Sequence, residues 1–278
     1  MITRQSIVNE EQALETMRDL VWTYQEVAAF KMQKIRKGVL ANRDYLADLS
    51  IISDQVYYSY RTQLVATENR PAKSAAVFVS ANIGLYGSIV TRVFQEFEKQ
   101  ISQDKDVVIV IVGKLGKAYV EKSPYKREYQ YFDFPDEVVA LDSVKPLSLF
   151  LADFREVTVY HGRFESVITQ SPAATKVSGE AKPPDKNSGI KVNYIFEPEL
   201  KTVYTFFKSE IFTSLLIQAL QENMLAKNAS RMVAMDQAGD RISTQLSAVA
   251  KLSLFVKHRE LARRQMDVYG AIRAWGRE

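Results

Sequence analysis

Apolar side chains recur at steps of three and four residues near both ends of the chain, which places them on one face of an α-helix. At the carboxy-terminal end this pattern predicts a single helix from about residue 199 to about residue 272, with no proline after Pro198. Such a helix would be roughly 100 Å long, more than the width of a compact domain of this mass, so we expect it to need a partner. The apolar stripe comprises Phe207, Ile211, Leu215, Leu216, Leu220, Met224, Met232, Met235, Ala238, Ile242, Leu246, Val249, Leu252, Phe255 or Val256, and Leu261.

The amino-terminal end supplies that partner. Helical spacing of apolar residues runs from Leu14 to Tyr60, and Gly38 is the single glycine before Pro71. Two long amphipathic helices are separated by about 130 residues with a different hydrophobic pattern. This arrangement predicts an antiparallel coiled coil that carries an inserted globular domain. The alternative, two helices of an ordinary bundle, is disfavoured by their excess length.

In the middle of the chain the sequence pattern changes to one that predicts alternating strands and helices. Residues 75–81 and 106–113 are apolar and β-branched, and a glycine turn and a helical pattern follow each of them. This βα alternation favours a small parallel sheet. Residues 127–135 indicate a third strand, and residues 147–154 indicate a short helix.

A second kind of strand is expected later in the middle segment. Residues 155–170 and 189–198 alternate between apolar and polar side chains, which is typical of half-exposed strands and predicts an antiparallel pair. Residues 171–188, which are rich in proline, glycine, lysine and serine, are predicted to form a surface loop with no site of its own.

These elements predict a chain of the α/β class in three parts. Residues 1–70 form the amino-terminal coiled-coil helix, residues 71–198 an inserted Rossmann-like α/β domain, and residues 199–278 the carboxy-terminal coiled-coil helix.

Composition narrows the functional classes. With 46% hydrophobic and 25% charged residues in 278, the chain can bury a sizeable core. No run approaches 18 apolar residues and the amino terminus is polar, so we expect neither a membrane span nor a signal peptide, and a cytoplasmic protein. There is no cysteine, and the two histidines, His161 and His258, are expected at the surface. We therefore expect no metal site.

Two glycine motifs invite comparison with nucleotide-binding loops. The first contains Gly84, Leu85 and Gly87 after a predicted strand, but it lacks the three glycines of the dinucleotide fingerprint. The second contains Gly113 and Gly116, and its glycines are too close together for a phosphate loop. We expect both to be structural turns, with no cofactor and no catalytic residue in the chain.

Residues 231–238, Arg-Met-Val-Ala-Met-Asp-Gln-Ala, resemble a signature of the gamma subunit of F-type rotary ATP synthases, Arg-Met-x-Ala-Met-Asp-x-Ala. The end helices of that family wind together as a shaft. The matching residues are Arg231, Met232, Ala234, Met235, Asp236 and Ala238.

Four further segments resemble the same family, in the same order. Residues 80–88 are similar to its Thr-Ser-Asp-Arg-Gly-Leu-Cys-Gly-Gly turn, and residues 113–116 to its Gly-Arg-Lys-Gly turn. Residues 194–198 are similar to its Tyr-x-x-Glu-Pro strand end. The Val-Ala-Ala-Ser-Lys core of its first helix is matched by Val27, Ala28, Ala29 and Lys31.

Two segments depart from the family pattern. Residues 23–26 replace its Ala-Met-Lys-Met lead-in, and residues 253–262 replace the Tyr-Asn-x-x-Arg-Gln-x-x-Ile-Thr segment that helps to grip the catalytic ring. The chain is therefore identified as a divergent gamma subunit or a gamma-like paralogue.

Basic residues are concentrated near the carboxy-terminal end. Residues 241–278 contain eight Lys or Arg and three Asp or Glu, an excess of five positive charges, whereas the whole chain carries +4. This excess fits a solvated face, or a basic sleeve that opposes the acidic levers of the family's beta subunits. Nucleic-acid binding is disfavoured, because the basic residues share their helix with an apolar stripe and no stacking aromatics are interleaved. The candidate ring-facing residues are Lys257, Arg259, Arg263 and Arg264.

The resemblance implies a non-catalytic rotor on the central stalk. Its partners would be the alpha and beta subunits, the epsilon subunit and the membrane c-ring, at the cytoplasmic face of the cell membrane. It would couple proton or sodium flow to ATP synthesis or hydrolysis. The alternatives are a gamma-like coiled-coil adaptor of an ATPase ring that is not coupled to ion transport and, more remotely, a small-molecule enzyme built on the middle domain.

Overall fold

Two long helices flank an α/β segment in the computed structural model, which describes residues 4–63, 73–124, 127–136, 139, 141–177 and 197–275. The elements in chain order are α1 (Arg4–Gln63), β1 (Ser74–Val79), α2 (Ile89–Gln103), β2 (Val108–Val112), α3 (Lys114–Lys122), β3 (Tyr129–Phe132), α4 (Leu141–Ala152), β4 (Glu156–Phe164), β5 (Gln170–Lys176) and α5 (Leu200–Trp275).

Both long helices match the expectation from the sequence. α1 contains 60 residues, and Gly38 does not interrupt it. α5 contains 76 residues and begins two positions after Pro198, a residue type that helix interiors disfavour. Within the described residues, no helix holds a stretch apolar enough to cross a membrane.

The strands form one sheet in the order β3-β2-β1-β4-β5. β1 is central and pairs in parallel with β2 and β4, so that Val77 lies between Val110 and Val159. β3 pairs in parallel with β2, and β5 pairs antiparallel with β4. The predicted Rossmann-like α/β segment is confirmed by this topology.

Each face of the sheet has its own core. Val77 and Val79 pack on one face with residues of α4 and α5, including Leu147 and Leu216. Ala76, Phe78 and their neighbours pack on the other face with α2 and α3. Alternate residues of β1 are therefore buried on opposite faces, as expected for the central strand of a sheet with helices on both sides.

The antiparallel partner of β4 differs from the sequence prediction. Residues 171–176, predicted to lie in a loop, belong to β5, because the chain reverses at residues 165–169, where the amides of Glu165 and Ser166 donate to the Thr169 carbonyl. The predicted strand 155–170 was therefore too long. Pro172 argued against a strand, but it is tolerated because β5 is an edge strand of the sheet that the described residues form. Most of the predicted strand 189–198 lies outside the described residues.

A smaller difference concerns α4. The sequence predicted a short helix over residues 147–154, whereas α4 runs from Leu141 to Ala152 and contains Pro146. The proline masked the first half of this helix, since a proline is usually taken to mark a boundary.

The chain forms two compact units. One consists of Met1–Val27 with Met232–Glu278, and the other of Ala28–Arg231. The three-part division at residues 70 and 198 follows element ends instead, and it remains a proposal.

The first unit pairs the beginning of α1 with the end of α5. Ile7 and Leu14 are buried together with Ile242 and Val249, and Val21, Leu246, Leu252 and Val256 pack against them. All of these residues except Ile7 belong to the two predicted apolar stripes, so the predicted pairing of the end helices is confirmed here.

The second unit shows that the two helices run antiparallel. The Tyr45 hydroxyl donates to Glu210 Oε1 at 3.0 Å, and a Cβ built on Gly38 would lie 3.6 Å from Gln221 Nε2. The later residue of α1 thus meets the earlier residue of α5, which is the antiparallel arrangement.

Candidate functional site

The most unusual part of α5 is residues 222–231, where ten consecutive residues are buried. A helix that is covered on all sides normally carries apolar residues, because a buried polar group without a partner is costly. This stretch is instead rich in polar side chains. They are Glu222, Asn223, Lys227, Asn228, Ser230 and Arg231.

Three of these side chains, Asn223, Lys227 and Arg231, follow one another at steps of four and therefore share one face of α5. We refer to them as the polar ladder. All three donate to backbone carbonyls in residues 80–85, the segment that follows β1. Their partners are backbone groups, so this recognition depends on the path of the chain and not on the side chains of the segment.

The first two residues of the polar ladder donate to the same carbonyl oxygen. Asn223 Nδ2 and Lys227 Nζ donate to the Ser80 carbonyl oxygen at 3.3 and 3.2 Å. Asn223 Oδ1 also accepts a hydrogen bond from the Gly162 amide at 2.9 Å. A Cβ on Gly162 would lie 3.0 Å from Ala226, so β4 and α5 approach closely at a residue without a side chain. Asn223 thus ties α5 to β4 as well as to the end of β1.

Lys227 is paired with Asp136 in the loop after β3. Lys227 Nζ lies 2.6 Å from Asp136 Oδ1. The other carboxylate oxygen, Oδ2, accepts hydrogen bonds from the amides of Asn82 and Ile83. The carboxylate therefore links α5, the segment after β1 and the segment after β3.

The ammonium group of Lys227 is buried, which disfavours its charged form. Burial lowers the pKa of its ammonium, and the carboxylate of Asp136 opposes that effect. The nearby positive charges of Arg231 and Lys31 lower the pKa further. A single carboxylate therefore offsets much of the cost of a buried cation, and its loss would leave that cation uncompensated.

Arg231 holds the first glycine turn. Its Nη2 donates to the Gly84 carbonyl at 2.9 Å and its Nε to the Leu85 carbonyl at 3.1 Å. Leu85 has a φ of 66° and Gly87 a φ of 58°, so the turn passes through the left-handed region, which is uncommon for leucine. The Arg231 signature and the first glycine turn, two separate motifs in the sequence, are thus joined by direct hydrogen bonds.

The second glycine turn is closed to a phosphate by its own hydrogen bonds. The Gly113 amide donates to the Phe132 carbonyl, and the Leu115 amide to the Ala81 carbonyl. The Gly116 amide donates to Ser80 Oγ at 2.9 Å. Phosphate loops need unoccupied amides that point at the ligand.

The glycines of that turn serve close packing. Gly113 has a φ of 92°, and a Cβ on Gly116 would lie 2.4 Å from Ile111 Cγ2. A cavity of about 10 Å³ lies beside the turn and is lined in part by Ser80, Asp136 and Lys227. This volume admits about one water molecule, far less than a nucleotide requires.

His161 is buried, so the surface position predicted for it from the sequence was wrong. It is 2% exposed in β4, with Nδ1 3.1 Å from the Gly162 carbonyl and Nε2 2.9 Å from Thr175 Oγ1. Burial lowers the pKa of its imidazole, although the Gly162 carbonyl and the charge of Glu222 oppose this. Its partner Thr175 belongs to β5, the strand that the sequence did not predict. His258 is exposed, as expected.

The remaining signature residues occupy different environments in the two units. In the Ala28–Arg231 unit, Ala28 is buried, Lys31 is half-buried and Ala29 is exposed. In the other unit, Met235 is buried and Val27 and Asp236 are exposed, while the half-buried members are Met232, Ala234 and Ala238.

The candidate ring-facing residues lie on a solvent-exposed part of α5. Lys257, Arg259, Arg263 and Arg264 are all exposed, and residues 261–273 are exposed without exception. Large apolar side chains share this segment, including Met266, Tyr269 and Ile272 at 63–72% exposure. In the described ranges, no group of three or more His, Asp or Glu side chains could hold a metal ion.

Asn223, Lys227 and Asp136 were not among the residues expected from the sequence to be functional. A usable signal existed for the first two, since they lie eight and four residues before Arg231 and therefore share its face of the predicted helix. Polar residues on a predicted buried stripe indicate partners that must be found elsewhere in the fold. No comparable signal marks Asp136, which lies in a loop.

Comparison with known proteins agrees with this architecture. A family model described as ATP synthase matches residues 5–253. The chain is 20% identical over 271 residues to the ATP synthase gamma chain of Pelotomaculum thermopropionicum, covering 94% of this chain and 95% of that one. It is 27% identical over 258 residues to the ATP synthase gamma chain of a Caulobacter species, covering 86% and 87%.

Solved structures share the fold. The chain is similar to one in the central stalk and c-ring structure of the Tetrahymena thermophila mitochondrial ATP synthase, with a TM-score of 0.61 and 17% identity over 79% of this chain and 99% of that one. It is also similar to a chain in the rotor of the Euglena gracilis mitochondrial ATP synthase, with a TM-score of 0.51 and 12% identity over 90% and 99%.

Proposed function

Because the chain belongs to the ATP synthase gamma family, we propose that it is the central-stalk rotor subunit of an F-type ATP synthase. The observation that carries this proposal is the family match over residues 5–253, which includes nearly all of α1, the described sheet and α5 as far as residue 253. The rotor couples ion flow through the membrane sector to ATP synthesis or hydrolysis in the ring of alpha and beta subunits.

The subunit works without catalytic residues of its own. An asymmetric rotor presents a different surface to each of three beta subunits, and rotation changes which conformational state each beta subunit favours. Such coupling requires that the rotor interact differently with the different states. The exposed face of α5 over residues 257–273, with its mixture of basic and apolar side chains, suits such contacts.

The partners follow from the same proposal. The alpha and beta subunits surround the end of α5, and the epsilon subunit and the c-ring lie at the membrane side. The complex lies at the cytoplasmic face of the cell membrane with this subunit as a peripheral component. The transported ion is a proton or sodium, which is chosen by carboxylates in other subunits.

A second function is favoured by one observation. The family match ends at residue 253, where the chain also departs from the family's ring-gripping segment over residues 253–262. A gamma-like adaptor that docks on an ATPase ring without driving ion transport would need no such segment. The two functions differ in whether reconstituted complexes pump ions.

The test is a charge reversal at Lys257, Arg259, Arg263 and Arg264, each changed to glutamate. Complexes reconstituted with alpha, beta and membrane subunits are compared for subunit occupancy and ATP-driven ion pumping. We expect the fourfold variant to lose assembly or pumping while its isolated chain stays folded, because charges of opposite sign register a partner. Single reversals should be mild, since exposed pairs contribute only about 0.2–1 kcal/mol each.

A matched control carries the same change of charge elsewhere. Lys99, Lys105, Lys122 and Lys145 are exposed and lie in the α/β segment. Their replacement by glutamate should leave pumping near the native level. Equal pumping by native and reversed α5 at equal occupancy would show that the basic residues are only a solvated face. A native complex that hydrolyses ATP without pumping would favour the adaptor.

A further inference from the structure

The polar ladder makes a connection that the apolar core alone does not provide. Leu216 and Leu220 of α5 pack against the sheet, but apolar contacts are not directional and tolerate small rotations of a helix about its axis. Hydrogen bonds weaken steeply when their angle changes. The ladder donates from three successive turns of α5 into one backbone segment, residues 80–85, and therefore specifies the angle of the helix.

We propose that the polar ladder, together with Asp136, is the joint that fixes the angular position of α5 in the α/β segment and carries torque between them. Lys227 and Asp136 act as positioning residues at its centre. This inference rests on the proposed rotor function, because torque has a meaning only if the subunit rotates.

The chemistry of the central pair supports positioning over simple stabilisation. Replacing a buried ion pair by uncharged residues of similar volume is often neutral or stabilising, so such a pair is a poor device for stability alone. Here the pair joins three segments, since Asp136 also accepts from Asn82 and Ile83 while Lys227 donates to Ser80. It is therefore well placed to specify one geometry.

The location of the ladder also suits this role. It lies where α5 is buried on all sides, over residues 222–231, and α5 continues from there to Trp275 as one helix. Asn223 bonds to Gly162 in β4, so the joint reaches a second strand of the sheet. β1 and β4 are adjacent parallel strands, and directional hydrogen bonds join α5 to β4 and to the residue that follows β1. A torque applied to the sheet would therefore be transmitted to α5 through these bonds.

The decisive variant removes both charges of the pair without leaving a buried ion. Lys227→Met keeps much of the side-chain volume, and Asp136→Asn keeps an oxygen that can accept from the amides of Asn82 and Ile83. Complexes with native chain, the double variant and Lys227→Arg are reconstituted in vesicles. For each, the melting temperature of the isolated chain, the ATPase rate and the ATP-driven ion uptake are measured.

We expect the double variant to assemble, to melt near the native temperature, and to pump fewer ions for each ATP hydrolysed. Mutations within coupled networks change coupling by about 2- to 30-fold, and a loss in that range is expected here. Lys227→Arg retains a cationic donor and should recover most of the native ratio. The control is Leu216→Ala, which weakens the apolar packing of the same helix and leaves the ladder intact.

Several outcomes would overturn the proposal. A native ratio of ions to ATP in the double variant would do so, as would an equal loss of that ratio in Leu216→Ala, because the ladder would then contribute only stability. If the double variant does not assemble, the same measurements are made on Asn223→Leu, which removes the hydrogen bonds to Ser80 and Gly162. Failure of the native complex to pump counts against the proposed function instead.

Discussion

The guanidinium carbon of Arg231 lies 3.8 Å from the centroid of the Tyr86 ring. Arg231 is 1% exposed and Tyr86 is 3% exposed, so this cation-π contact is desolvated, which makes it stronger than a surface contact. The same guanidinium donates to Gly84 and Leu85 on either side of the left-handed backbone at Leu85. One side chain of the family signature therefore holds a complete turn.

Replacing Arg231 by methionine should destabilise the isolated chain by about 2–3 kcal/mol, since two carbonyls lose charge-assisted hydrogen bonds. Lysine should recover only part of this loss, because it cannot bond two carbonyls and stack on Tyr86 with the same planar group. Urea unfolding measures both effects. The control is Arg241→Met, at an exposed position of α5, which should change stability by less than about 0.5 kcal/mol. A similar loss in both methionine variants would contradict the assignment.

Two glycine-to-alanine changes should act in opposite directions. A Cβ on Gly239 would meet Val21 Cγ1 at 3.9 Å, an ordinary contact, so alanine should stabilise α5 by about 0.5–1 kcal/mol. A Cβ on Gly116 would lie 2.4 Å from Ile111 Cγ2, so alanine there should destabilise the fold by about 1–3 kcal/mol. Thermal unfolding of both variants is the measurement, and a stable Gly116→Ala variant would show that this turn is not closely packed.

Acid should weaken the fold through His161. The pKa of His161 in the folded chain lies below the ordinary value of 6.5, so the unfolded chain binds the proton more readily. The contribution of neutral His161 is thus complete above about pH 6.5 and falls as the pH drops toward the folded-state pKa, by at most about 1.4 kcal/mol per pH unit. Urea unfolding at several pH values compares native chain with His161→Gln. Equal pH dependence of the two would exclude this role.

A disulfide should form between the paired ends of α1 and α5 in this cysteine-free chain. Val21→Cys with Gly239→Cys places the new side chains where a Cβ on Gly239 would lie 3.9 Å from Val21 Cγ1, near the geometry that a disulfide requires. Mild oxidation should give a monomer with altered gel mobility. Met17→Cys with Gly239→Cys is the control, because Met17 is 54% exposed. Cross-linked dimers in place of monomers would contradict the intramolecular pairing.

The isolated chain should bind ATP no better than millimolar and should not hydrolyse it. The amides of Gly113, Leu115 and Gly116 already donate within the fold, and Asp136 occupies those of Asn82 and Ile83. These amides of the second glycine turn, and the two that precede Gly84 in the first, are therefore not available to a phosphate. Calorimetric titration with magnesium and ATP is the test, and micromolar binding would refute it.

The features that the sequence predicted well depend on local patterns. The length of α5 followed from apolar residues at helical spacing and from the absence of proline after Pro198. β1 and β2 followed from apolar, β-branched runs, each followed by a glycine turn. In these segments neighbouring residues alone specify the conformation, and the family signature around Arg231 identified the fold they build.

The features that only the tertiary structure decided depend on residues far apart in the chain. Pro172 is compatible with a strand because β5 lies at the edge of the sheet formed by the described residues, and edge position depends on the other strands of the sheet. His161 is buried because β5 lies beside it. Lys227 meets Asp136 across 91 positions, after a sheet and a helix have brought them together. Periodicity reports which face of an element is buried, whereas the partner of a buried polar group is set by the packing of distant elements, which no local pattern contains.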